Sequence, residues 1–87
     1  MYLAQTHEQL SHLKSAITKE KFKTIGAIAH QIKGSSANLG AARLSDECSR
    51  LEDNALSENL NESTALMEKI QGTFSRTEVQ FRALLKE

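Results

Sequence analysis

His30 is the residue of this sequence best suited to carry chemistry, because a ring nitrogen of imidazole is nucleophilic near neutral pH. Read as a helix at about 100° per residue, the segment around it turns His30 about 140° away from Ile25 and the apolar stripe. The residues one turn from His30 are small except for one lysine: Gly26, Ala27, Lys33 and Gly34. Ala37 lies two turns further on. The spacing therefore predicts an exposed histidine with open surroundings and a cation nearby.

The two glycines beside His30 need a reason, since glycine inside a helix costs about 1 kcal/mol relative to alanine. Gly26 and Gly34 each carry that penalty. One interpretation is that His30 is an ordinary surface residue and that the glycines allow close packing of helices. The other is that a partner must approach the ring. Together with Lys33, the glycines favour a site.

The run from His30 to Ala41, HQIKGSSANLGA, resembles the signature of histidine-containing phosphotransfer (HPt) domains. The match is dense over residues 22–52 and includes Leu44, Cys48 and the pair Leu51-Glu52. The resemblance implies that Nε2 of His30 accepts a phosphoryl group. It also implies supporting residues, namely Lys33 and more weakly Lys23 and Arg43 beside the phosphoryl oxygens, and Gly26, Ala27, Gly34 and Ala37 where a partner docks.

The resemblance also implies the partners. A response-regulator receiver domain would give its phosphoryl group to His30 and a second receiver would take it, with a hybrid sensor histidine kinase upstream. Such a carrier has no independent catalytic activity and no cofactor, because Mg²⁺ belongs to the receiver. Two alternatives stay open: a helical docking module that is never phosphorylated, and the phosphotransfer domain of a chemotaxis-type kinase.

Four amphipathic helices must position these residues. Apolar side chains recur at steps of three and four over residues 2–17, 19–38, 41–55 and 60–86, and the chain contains no proline. Short connections between such helices predict an all-α, antiparallel up-down four-helix bundle that spans residues 1–87 as one domain.

Several local features refine this prediction. Thr18 is expected to cap the second helix, and Gly40 to end it in the left-handed conformation. Ser36, in the apolar stripe with Leu39, is expected to bond back to the carbonyl of Ile32. In the fourth helix, Gly72 is expected to bend or weaken the helix, and Leu84 or Leu85 to complete the stripe.

Charge is balanced overall but unevenly distributed. The chain has 11 basic and 11 acidic residues, which argues against a nucleic-acid module that neutralises phosphates. Residues 1–43 carry six basic and two acidic side chains, whereas residues 44–68 carry one basic and seven acidic. The basic side chains around His30 suit an acidic partner: Lys19, Lys21, Lys23, Lys33 and Arg43.

The other reactive residues have plainer interpretations. His7 and His12, five residues apart, do not share a helix face, so no metal site is expected. Cys48 lies in the core stripe and is expected to be a buried small hydrophobe. Glu52 matches the Leu-Glu pair of the HPt family, which implies a place near the helix of His30, but a solvated side chain is the favoured interpretation. A lone cysteine and the lack of a signal peptide or apolar span lead us to expect a cytoplasmic protein without membrane contact, or a cytoplasmic module of a membrane-anchored hybrid kinase. We also expect the domain to be a monomer.

Overall fold

A computed structural model describes residues 2–85 of the protein and contains four α-helices. They are α1 (Tyr2–Thr18), α2 (Phe22–Asn38), α3 (Ala42–Leu56) and α4 (Leu60–Leu85). Each helix contacts the next, and α4 contacts α1 to close the ring. Contacts such as Tyr2 with Ser36 and Gln9 with Gln31 run in opposite directions along neighbouring helices. The predicted antiparallel four-helix bundle is confirmed.

The core consists of the apolar stripes that the periodicity predicts. Leu13, Ile25, Ile32, Leu51 and Ile70 have no measurable solvent exposure. All four predicted positions of α3 are buried: Leu44, Cys48, Leu51 and Ala55. The predicted stripe is wrong at Leu39, which follows the last residue of α2 and is 49% exposed. Of the two candidates at the end of α4, Leu84 is exposed, and the side chain of Leu85 lies outside those that the structure describes.

Three connections of three residues each share one geometry. The middle residue is left-handed in every case, with φ of 55° at Glu20, 77° at Gly40 and 53° at Glu58. After α2, Ala41 N–H donates to Ser36 O at 2.8 Å and Gly40 N–H donates to Ala37 O at 3.2 Å. These are the paired bonds of a Schellman motif, so the predicted role of Gly40 is confirmed.

The predicted start of α2 is wrong. Thr18 is the last residue of α1, and its hydroxyl donates to Lys14 O at 3.1 Å instead of capping α2. Lys21 precedes α2 without a side-chain cap. The predicted start at residue 19 is three residues early, because glutamate, not glycine, occupies the left-handed position at Glu20 and does not mark the extent of the connection.

Two further local expectations are corrected. Ser36 Oγ lies 2.8 Å from Tyr2 Oη, joining α2 to α1, while it is Ser35 that bonds back to Ile32 O. Asn59, which carried no predicted role, caps α4 by accepting from Glu62 N–H at 3.1 Å. Gly72 lies inside α4, which continues without interruption to Leu85, and the predicted helix end at residue 86 lies outside the described residues.

The α1–α4 side is closed by polar and aromatic contacts. His7 Nε2 lies 2.9 Å from Glu78 Oε2, and Arg82 donates to the same oxygen at 2.8 Å. The pKa of Glu78 is lowered chiefly by the hydrogen bond from His7 and then by that from Arg82. None of the helices within residues 2–85 combines the length and apolarity needed to cross a membrane.

Gly40→Ala should lower the free energy of unfolding by about 1 kcal/mol, because an added Cβ is disfavoured in the left-handed region. Gly72→Ala is the matched control: the position is helical, a Cβ there meets no atom within 4 Å, and stability should rise by up to about 1 kcal/mol. Urea unfolding of both variants measures the difference. Equal changes in the same direction would contradict the assigned role of Gly40.

Candidate functional site

His30 lies in the middle of α2 and points away from the core. Its side chain is 66% exposed, while Ala29 and Ile32 beside it in the sequence are fully buried. The ring is held from one side, because Nδ1 lies 3.1 Å from Oε2 of Glu52 on α3. No residue among 2–85 forms a hydrogen bond with Nε2.

Glu52 joins His30 to Lys33. Its second oxygen, Oε1, accepts from Lys33 Nζ at 2.9 Å. The pKa of Glu52 is lowered, chiefly by the hydrogen bond from Lys33 and further by the charges of Lys33 and His30, against the opposing effect of burial. Glu52 is therefore ionised at neutral pH. Because the folded pKa of Glu52 lies below its unfolded pKa, the stability that Glu52 contributes is present above the unfolded pKa and is lost as the pH falls through the lower folded pKa.

The charge on Glu52 fixes the direction of the hydrogen bond to His30. An ionised carboxylate can only accept, so Nδ1 of His30 is the donor and carries a proton. In the neutral ring the lone pair is then on Nε2, the nitrogen that makes no hydrogen bond within residues 2–85. The contact thus orients the ring and leaves Nε2 as its nucleophilic nitrogen.

The α2–α3 register that brings Glu52 to His30 is set by backbone contacts. Ser45 Oγ on α3 donates to the carbonyl of Lys33 at 3.2 Å. At one end of the α2–α3 contact, the chain turns tightly from α2 into α3 at Gly40. Towards the other end of the contact, a Cβ built on Gly26 of α2 would lie 3.6 Å from Cβ of Ala55 on α3. Glu52 lies between these points, opposite His30 and Lys33.

The exposed surface formed by Ala27, His30, Gly34 and Ala37 is named the His30 face. All four residues are exposed along one side of α2. A Cβ on Gly34 would meet no atom within 4 Å, so nothing in the bundle requires glycine there. The short side chains leave His30 as the tallest group on this face.

The remaining predicted site residues differ in how near the structure places them to His30. Lys23 is exposed on α2, two turns before His30 and on the same side. Gly26 is partly covered because it borders α3. Arg43 is not brought to His30: it lies 3.9 Å from Glu47 and borders a depression of about 360 Å³ between α3 and α4.

Other reactive groups lie apart from His30. His7 contacts Glu78 on α4, and its ring meets that of Phe74 edge-on at 4.9 Å. His12 is exposed on α1. Cys48 is fully buried, as predicted, and burial raises its pKa to about 12. Within residues 2–85, no group of three or more histidine, cysteine or acidic side chains could hold a metal ion.

Glu52 is the residue whose part in the site the sequence interpretation understated. A solvated side chain was the favoured interpretation and a place near the helix of His30 the alternative; the structure shows the alternative, with Glu52 partly buried and in contact with His30 and Lys33 of α2. A signal was present, because Leu51 is a core residue and the next position on α3 must lie at the edge of the α2–α3 contact. Only the register between the helices shows that this edge meets His30.

Comparison with known proteins gives one match. The family model described as "Hpt domain" matches residues 1–87, the whole chain. Searches among curated proteins and among solved structures each found no match.

Glu52→Ala should release the His30 ring, so that the proton is distributed between Nδ1 and Nε2 instead of being held on Nδ1. Long-range ¹H–¹⁵N spectra of the imidazole measure the tautomer directly. Asp53→Ala, which removes the neighbouring exposed carboxylate, is the control and should leave the Nδ1–H form unchanged. An unaltered tautomer in Glu52→Ala would show that Glu52 does not orient the ring.

Proposed function

The chain belongs to the Hpt domain family, and on that premise we propose that it carries a phosphoryl group on Nε2 of His30 between receiver domains. Hpt domains interact with receiver domains in phosphorelays and are phosphoryl carriers, generally without independent enzymatic activity. The observation that carries the assignment to His30 is the hydrogen bond from Nδ1 to ionised Glu52, in a side chain that is 66% exposed and whose Nε2 makes no hydrogen bond within residues 2–85.

In the proposed transfer, Nε2 attacks the phosphorus of an acyl phosphate on the receiver's aspartate. The P–O bond to the aspartate breaks as the P–N bond forms, and the aspartate leaves as a carboxylate. The ring has given its lone pair and becomes positively charged, with its proton still on Nδ1. Glu52, 3.1 Å from Nδ1, offsets that charge without having to move. The reverse sequence returns the group to a second receiver.

Lys33 is placed to act on the phosphoryl oxygens. It lies one turn from His30, and its ammonium is held by Glu52 at 2.9 Å. A lysine is a point charge that can turn towards a new anion, so a phosphoryl group at Nε2 would compete with Glu52 for it. Lys23, two turns from His30, would contribute only a longer-range attraction.

The domain itself would supply a positioned nucleophile and its local charges. Phosphoryl transfer depends mainly on alignment and electrostatic stabilisation, and the Mg²⁺ for it would be bound by the receiver. We place this exchange in the cytoplasm, with a monomeric domain that accepts from the receiver of a hybrid sensor histidine kinase. The small residues of the His30 face support such docking because they leave Nε2 accessible to a partner's pocket.

His30→Gln should abolish acceptance of label from a phosphorylated receiver domain while the bundle stays folded, since the side chain is exposed. The measurement is acid-labile ³²P on the domain, together with circular dichroism. His7→Gln and His12→Gln are the matched controls and should accept label normally. Label that persists in His30→Gln would refute the assignment. Label accepted only from a kinase with ATP would favour the chemotaxis-type alternative, and no label from either source the docking module.

Gly34→Gln should keep or raise the melting temperature yet slow transfer by roughly a hundredfold, because a side chain one turn from His30 holds the aspartate out of line. Gly34→Glu should slow transfer further through repulsion of the receiver's acidic pocket. Gly72→Gln, the same change at an open helical glycine of α4, is the control. Normal transfer by both Gly34 variants would mean that no partner needs this glycine.

A further inference from the structure

Leu56 is a large apolar side chain that the bundle does not use. Its side chain, at the end of α3, is 83% exposed. The other exposed large apolar residues are less so: Leu39, Val79 and Leu84. Single exposed apolar residues are common, so exposure alone implies nothing. The position of Leu56 relative to His30 gives it significance.

Helical geometry places Leu56 beside the phosphotransfer site. It follows Glu52 by four residues, which is about 6 Å along α3 and about 40° around its axis. Glu52 contacts His30, and Ser45, which shares this side of α3, contacts the backbone of α2. Leu56 therefore continues the α3 edge that borders the His30 face.

Gly26 lies on α2 opposite Ala55, the residue before Leu56. A Cβ built on Gly26 would lie 3.6 Å from Cβ of Ala55, an ordinary van der Waals contact, so packing would accept alanine at this position. Gly26 costs helix stability relative to that alanine, and Leu56 remains in water. Two locally unfavourable choices thus occur together on the flank of His30.

We propose that Leu56 is an apolar contact for the receiver domain, burying a hydrophobic side chain beside the receiver's aspartate pocket; this inference rests on the proposed function. Continuity with the His30 face identifies the occupant, because any domain that brings an aspartate to Nε2 must cover the α2–α3 edge beside Glu52. Towards the Gly40 connection that edge is polar, with Lys33, Ser45, Asp46 and Ser49 lining a depression of about 410 Å³. Leu56 makes the other end of the same edge apolar, and this difference between the two ends sets which way the receiver lies across α2.

The test compares two sources of phosphoryl group for His30. The first is the receiver domain that labels the wild-type chain, supplied over a range of concentrations. The second is a small phosphoramidate donor, which needs no docking. Leu56→Gln should raise the receiver concentration for half-maximal transfer roughly tenfold, the effect of leaving one leucine uncovered. Its maximal rate, its labelling by phosphoramidate and its melting temperature should match the wild type.

Two variants serve as controls. Val79→Gln changes another apolar residue, 67% exposed on α4, and should transfer normally. Leu56→Met keeps an apolar side chain and should also transfer normally. If Leu56→Gln transfers as well as Val79→Gln, the inference is overturned while the role of His30 stands. The same holds if Leu56→Gln slows phosphoramidate labelling as much as it slows transfer from the receiver, or if it lowers the melting temperature, because the defect would then not be one of docking. If the wild-type chain accepts label from no receiver, the proposed function fails and this inference fails with it.

Discussion

The ionised side chain of Glu52 on α3 binds two polar side chains of α2, His30 and Lys33. Glu52 contacts His30 through one oxygen and Lys33 through the other. Without this bridge the histidine would be an exposed side chain with free rotation and either tautomer. With it, the proton is on Nδ1, and Nε2 is presented at a fixed height above a surface of alanine and glycine. The arrangement depends on α2 and α3 lying antiparallel in one register.

That register arises from features that are not themselves part of the site. The left-handed residue at Gly40 reverses the chain within three residues, and Ser45 fixes α3 against the backbone of α2 at Lys33. The buried side chains of the two helices then fill the space between them. A shift of α3 by one residue would turn Glu52 by about 100° around its axis and would separate it from His30. The core therefore positions the chemistry even though no core residue contributes to it.

Several residues around His30 make the folded domain less stable than other residues at the same positions would. Gly26 and Gly34 reduce helix propensity where the structure has room for a side chain, and Leu56 is left in water. Elsewhere the same helices use alanine, leucine and charged residues at ordinary positions. Such a concentration of unfavourable choices on one side of the bundle is typical of a surface selected for contact with a partner rather than for stability.

The sequence by itself determined the helices, the bundle and the choice of His30 as the candidate residue. Periodicity is a local property, so the stripes of Leu13, Ile32 and Leu51 could be predicted directly, as could Gly40, whose conformational freedom marks a helix end. The start of α2 was predicted three residues early because Glu20 adopts the same left-handed conformation without glycine, whereas the connection at Glu58 was predicted as a turn and α4 was predicted to begin at residue 60. The tertiary structure alone decided which side chains meet: Glu52 joins His30, Ser36 pairs with Tyr2, and Arg43 lies towards α4. These pairings depend on the rotation and register of one helix against another, which are fixed by packing across the whole core and leave no local pattern in the sequence.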